Sequence, residues 1–130
     1  MMAAALRREV VLVVGSAATT EALRRGGIDC VSVTTRRDAL EACARHSPQL
    51  AIVSFFIVRL GLTASQLVDA GAHQAIAVLD GPSAIDSLTA YRAGFDLCLH
   101  APVVPRDIER MRTHWTVRRA VARHAIAELP

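Results

Sequence analysis

Side chains able to do chemistry are few in this chain, and their spacing narrows what they can do. Cys30, Cys43 and Cys98 are its three cysteines, odd in number and far apart. They form no CxxC pair and no Cys/His spacing of the zinc type, so neither a dithiol redox motif nor a structural metal is expected. All 15 basic residues are arginine. Without lysine there is no Schiff-base catalyst and no P-loop lysine, although arginine can still grip phosphate as a planar fork. The positions that follow apolar runs are Gly15-Ser16, Ser54, Asp80 and His100-Ala101. Asp80 and His100 are in principle two halves of an acid/base pair, but no nucleophile of clear identity joins them and no catalytic residue is assigned. Val14-Gly15-Ser16-Ala17-Ala18 lacks the second and third glycines of a dinucleotide-binding turn. Ser54 reads as a hydrogen-bonded turn residue, and Asp80, ahead of Gly81-Pro82, as a turn or helix-capping aspartate. No cofactor and no metal is expected.

The elements that would position these residues alternate in type. Val10 to Val14 is a continuous β-branched and leucine run ending at Gly15-Ser16, the mark of a strand buried on both faces. A helix over about Ala17 to Arg25 stops at Gly26-Gly27, and Asp29 to Thr34 reads as a short strand. A second helix, Arg37 to His46, ends at Ser47-Pro48 because the residue before proline resists the helical region. Leu50 to Phe56 reads as the third strand, Ala64 to Ala70 as a short helix and Ala75 to Leu79 as the fourth strand. Ser83 can cap a fourth helix over Ala84 to Ala93, which Gly94 closes. Asp96 to Leu99 is the fifth strand. From Pro105 a final helix runs toward Ala127, with Asp107 and Glu109 near its positive end. Five strands alternating with five helices fold, by the right-handed crossover rule, into an α/β doubly wound parallel sheet.

The chain has 130 residues, 52% of them hydrophobic and only 4% aromatic, which excludes a disordered chain and implies an aliphatic core. One domain over residues 1–130 is expected. The net charge of +3 is a weak pointer to nucleic acid. Val10 to Val14 is too short to span a membrane, Arg7-Arg8-Glu9 precede it, and free cysteines suit a reducing cytoplasm, so no membrane contact is expected.

Several segments together resemble the receiver domain of bacterial two-component response regulators, over about residues 8–120. They are the fivefold βα order, Ser47-Pro48-Gln49-Leu50-Ala51-Ile52-Val53-Ser54 leading to the end of the third strand, Ala93-Gly94-Phe95-Asp96 before the fifth, and Pro102 after it. The resemblance implies a flavodoxin-like topology. It also implies what should stand at each functional position. The acidic pair that holds Mg²⁺ in receivers falls at Gly15 and Ser16, and the phosphoacceptor aspartate at Ser54. The serine or threonine that bonds the phosphoryl group falls at Asp80, where a carboxylate repels phosphate. The lysine falls at Ala101 and the aromatic switch residue at Cys98. Octahedral Mg²⁺ needs carboxylate oxygens and phosphoryl transfer needs charge compensation, so the site reads as a degenerate phosphorylation site. The resemblance further implies a cis peptide at Ala101-Pro102.

The expected function is therefore that of an atypical, phosphorylation-independent pseudo-receiver, not an enzyme, that contacts a protein partner or a second copy through the fourth helix, fifth strand and last helix. Ser87, Tyr91 and Arg92 on the fourth helix and Arg106, Arg110 and Met111 on the last are the candidates for that contact. Past about residue 118 the last helix outruns the receiver pattern, and residues 118–130 are a candidate helical extension for docking. Its arginines surround the helix and no aromatic platform accompanies them, which argues against nucleic acid. Two alternatives stand beside this reading: a small-molecule or nucleotide sensor using the carboxyl end of the sheet, and a genuine phosphoaccepting response regulator with displaced acidic residues.

Overall fold

A computed structural model describes residues 10–81 and 83–111. One sheet of five parallel strands runs in the order β2-β1-β3-β4-β5, the flavodoxin-like arrangement. β1 (Val11–Val14) is buried at every position and pairs with β2 (Cys30–Val33) on one side and β3 (Leu50–Ser54) on the other. β4 (Ala75–Leu79) and the short β5 (Cys98–His100) continue the sheet beyond β3. The helices are α1 (Ala17–Arg25), α2 (Arg36–His46), α3 (Phe55–Arg59), α4 (Ala64–Ala70) and α5 (Ala84–Arg92). A final helix, α6, is described over residues 105–111. The extension expected over 118–130 lies outside the described residues.

Local chemistry accounts for most boundaries. The side-chain oxygens of Ser16, Thr35, Thr63 and Ser83 each accept a backbone N–H in the first turn of α1, α2, α4 and α5. At α4 Gln66 reciprocates, completing a capping box. Ser47 ends α2 in the left-handed conformation, φ 43°, as its following proline disfavours another helical residue. At α6 the Asp107 carboxylate accepts from the Val104 N–H at 3.1 Å.

Two readings need correction. The third strand stops at Ser54, and Phe55-Phe56, expected to continue it, open the one-turn helix α3. That turn buries Phe55, Ile57 and Val58 together, which an extended chain with alternating faces would not. The fifth strand is Cys98–His100, because its ladder with β4 starts at Ala77 opposite Cys98 and leaves Asp96 exposed in the connection. Ser83 caps α5 as expected, and Asp80 stands in the bend ahead of it. The helix expected as the fourth is thus α5.

The two faces of the sheet carry separate cores. Val11, Val13, Ile52, Ile76 and Val78 pack with Leu23 of α1 and Ile108 and Met111 of α6. Leu12, Val14, Ala51, Val53 and Ala77 pack on the opposite face with residues of α2 to α5 and Phe95. A Cβ at Gly26 would lie 2.2 Å from Pro105 Cγ, so the end of α1 and the start of α6 touch. Among the described residues no helix is long and apolar enough to cross a membrane.

Candidate functional site

Parallel strands deliver the residues that follow them to one edge of the sheet, where ligands bind in folds of this topology. Val14 lies opposite Val53, so Gly15 and Ser54 come at the ends of neighbouring central strands. Leu79 lies opposite His100, and the Ala101 N–H donates to the Leu79 carbonyl at 2.9 Å, which places Asp80 and Ala101 at the ends of β4 and β5. The structure therefore gathers Gly15, Ser16, Ser54, Asp80 and Ala101 along the same sheet end.

Their chemistry is poor in charge. Gly15 has φ +83°, and a Cβ there would lie 2.9 Å from Ile57 Cγ1 and 3.1 Å from the Phe56 ring. The space beside β1 that a side chain would need is filled by α3. The Ser16 hydroxyl is spent on capping: its oxygen accepts from the Thr19 N–H at 3.1 Å and its proton goes to Thr19 Oγ1 at 2.9 Å. Ser54 is half-buried, and its side chain makes no capping bond although it stands at the N-cap of α3. Asp80 and His100 are exposed. Phe56 and Ile57 thus belong to this sheet end although only the apolar doublet Phe55-Phe56 beyond Ser54 signals them in the sequence. Among the described residues no group of three His, Cys, Asp or Glu side chains is placed to hold a metal.

Rebuilding an acid at position 15 is expected to fail on sterics. Gly15→Asp should cost about 1–3 kcal/mol, combining left-handed strain with a clash against the buried Ile57 side chain. Urea denaturation with and without millimolar Mg²⁺ checks this; a variant as stable as the parent that gains stability from Mg²⁺ contradicts it.

Cys98 is half-buried at the start of β5 and packs against the α2–α5 core. Burial alone pushes its thiol pKa up, away from nucleophilic character. The Ala101–Pro102 peptide bond is cis.

A second surface runs along α5, β5 and α6. Tyr91 and Arg92 are exposed and Ser87 is half-exposed on α5, while Arg106 and Arg110 are exposed on α6. Met111 differs from the expectation: it is 5% exposed and part of the core under α6, so its side chain is not offered outward. Between β5 and α6 lies a groove of about 300 Å³ lined by Leu97, Leu99, Asp107, Arg110 and the edge of Met111. Ile85 and Leu88 add exposed apolar surface on α5, at 77% and 48% exposure. Their helical spacing with Arg92 was the available sequence signal.

No protein-family model matches the chain, and no curated protein matches it. Solved structures do share its fold. A CheY-like response regulator receiver domain protein from Methanospirillum hungatei JF-1 superposes with a TM-score of 0.62 at 17% identity, covering 88% of this chain and 98% of that one. A response regulator from Thermotoga maritima gives 0.62 at 16% identity, covering 82% and 96%. A response regulator receiver protein from Pseudomonas putida gives 0.59 at 21% identity, covering 82% and 97%. At these identities the likeness is one of fold.

Proposed function

We propose that this chain is a receiver-like regulatory domain that has lost phosphoryl transfer and acts by binding another protein through α5, β5 and α6. The observation that carries the reading is at Gly15. A left-handed glycine, hemmed in by Ile57 and Phe56, stands at the position to which the receiver resemblance assigns a Mg²⁺-binding carboxylate. Ser54 supplies a hydroxyl in place of an anionic nucleophile, and the chain holds no lysine to compensate phosphoryl charge. Nothing in the set can accept, hold and release a phosphoryl group, so the domain is not an enzyme in this reading. What the fold offers instead is the exposed α5 face with Ile85, Leu88 and Tyr91, continued by the apolar groove beside β5.

Incubation with acetyl phosphate and Mg²⁺ should leave the intact mass and the tryptophan fluorescence of the protein unchanged. A stable phospho-adduct on Ser54 or Asp80 overturns the proposal. In the same proteins Tyr91→Ala and Arg110→Glu should abolish partner capture from the native cell while leaving the circular dichroism spectrum as it was.

A further inference from the structure

β2 is the outer strand of the sheet, with β1 on one side and no described strand on the other. The direction of its backbone groups follows from its ladder. Val11 N–H donates to the Asp29 carbonyl at 3.2 Å and Gly15 N–H to the Val33 carbonyl at 2.8 Å, so the odd-numbered residues of β2 face β1. Cys30, Ser32 and Thr34 therefore turn both N–H and C=O outward. Arg24 covers the first of these, its guanidinium donating to the Cys30 carbonyl at 3.0 Å. Ser32 is exposed, and no described group bonds its outward N–H and C=O. A bare edge of this kind is a template for another strand.

Grooves flank this edge on both faces. On the α1 face a groove of about 500 Å³ is lined by Glu21, Arg24, Arg25 and Ser32, among others. On the α2 face one of about 190 Å³ is lined by Val31, Val33, Asp38, Glu41, Arg45 and His46. Charge along this second groove is polar: acidic toward the start of α2, basic toward its end. Asp38 and Arg45 are two helical turns apart and share a face. The pairing of Glu41 with Arg37 at 3.4 Å lies within the helix.

The midpoint of this charge pattern is level with Ser32. Ser32 lies about 10 Å below Thr35, the α2 N-cap, at about 3.3 Å per strand residue. Descending at about 1.5 Å per residue, α2 reaches that level near residues 41–42, midway between Asp38 and Arg45. A two-fold axis perpendicular to the sheet, level with Ser32 and just outside β2, thus carries Asp38 onto the level of Arg45 and the reverse.

We propose that β2 pairs antiparallel with β2 of a second copy of this chain, Ser32 opposite Ser32, joining two five-stranded sheets into one. Each Ser32 N–H donates to the Ser32 carbonyl of the other copy, and Arg24 leaves this central pair free. Val31 comes beside Val33 of the second copy on the α2 face, which the axis preserves. Asp38 pairs with Arg45 of the second copy, and Arg45 with its Asp38. The occupant is a second copy because the Asp38-to-Arg45 polarity centred on the axis is complementary to itself, while Glu41, which meets its counterpart near the axis, is offset by its own Arg37 at 3.4 Å. This edge lies across the sheet from β5, so the assembly is independent of partner binding there.

Sedimentation equilibrium of the full chain should show a monomer–dimer equilibrium that weakens as salt screens the exposed pairs. Ser32→Pro removes the outward N–H and leaves the β1 ladder intact, so it should be folded by circular dichroism and monomeric. Asp38→Arg alone and Arg45→Asp alone should each weaken the dimer by about tenfold or more, since each homodimer then faces like charges. An equimolar mixture of those two variants should recover it, because the mixed pair restores both attractions. A wild-type monomer at every concentration overturns the proposal. So does a dimer indifferent to Ser32→Pro, or single variants that stay monomeric when mixed. If Ser32→Pro does not fold, the mixing experiment alone decides.

Discussion

Gly71→Ala should lose about 3 kcal/mol or more of folding stability, read as a lower urea midpoint at unchanged slope. Gly71 follows α4 with φ +138°, a conformation that side chains avoid. A Cβ there would lie 2.4 Å from the carbonyl oxygen of Cys43 and 3.1 Å from its carbonyl carbon. Those atoms are backbone in the last turn of α2, and the same oxygen accepts the Ser47 N–H at 2.9 Å. Neither can swing aside as a side-chain tip can, so relief requires α2 and α4 to separate. With net stabilities of about 5–15 kcal/mol typical of single domains, this is a large fraction of the whole. Gly81→Ala serves as the control, because Gly81 has open space around it and no positive φ. Equal midpoints for the two variants would mean that the α2–α4 contact is slack.

Phe95→Ala is expected to cost about 3–5 kcal/mol and to lower the melting midpoint by roughly 10–20 °C. Among the described residues Phe95 is the largest of the fully buried side chains, 1% exposed, in a protein with only 4% aromatic residues. The cluster it belongs to is rich in alanine, with Ala39, Ala42, Ala51, Ala64, Ala72, Ala75, Ala77 and Ala90 among its members, and a methyl group reaches little way into a gap the size of a ring. Its backbone also matters, because the Phe95 N–H donates to the Ala90 carbonyl at 3.1 Å and turns the chain from α5 toward β5. Loss of the ring should therefore loosen the face proposed for partner binding as well as the core. Phe56→Ala, at a ring 51% exposed, should change stability by less than about 1 kcal/mol. Calorimetry on both variants separates them; a Phe95→Ala protein melting with the parent would show that the cluster collapses freely around the gap.

The sheet was legible in the sequence because its central strands are nearly pure Val, Ile, Leu and Ala, bounded by Gly, Ser and Pro. Caps were legible for the same local reason: Ser83 and Gly94 act where their chemistry suggests. What could not be read was the point where an apolar segment changes conformation. Leu50 to Arg59 is apolar on both sides of Ser54, and short apolar runs do not distinguish a strand from a buried helical turn. Only the register with β4, which ends with Ser54 opposite Val78, fixes that boundary. The site followed the same rule. Gly15, Ser16, Ser54 and Asp80 were found by their place after strands, whereas Phe56 and Ile57 reach Gly15 only because α3 bends them back. Met111 illustrates a further limit, as helical periodicity does not say which stripe of α6 meets the sheet.

Because every neighbour of β1 is parallel, none can come from a hairpin. Its second partner, β3, lies roughly forty residues further along the chain. At synthesis rates of about 5–20 residues per second, the Val-Leu-Val-Val segment waits about 2–8 s with one edge and most of its apolar surface uncovered. That interval, and not the finished protein, is when this chain is most open to aggregation and most in need of a chaperone. Slow-translating codons placed before β3 should lower soluble yield without altering the purified product.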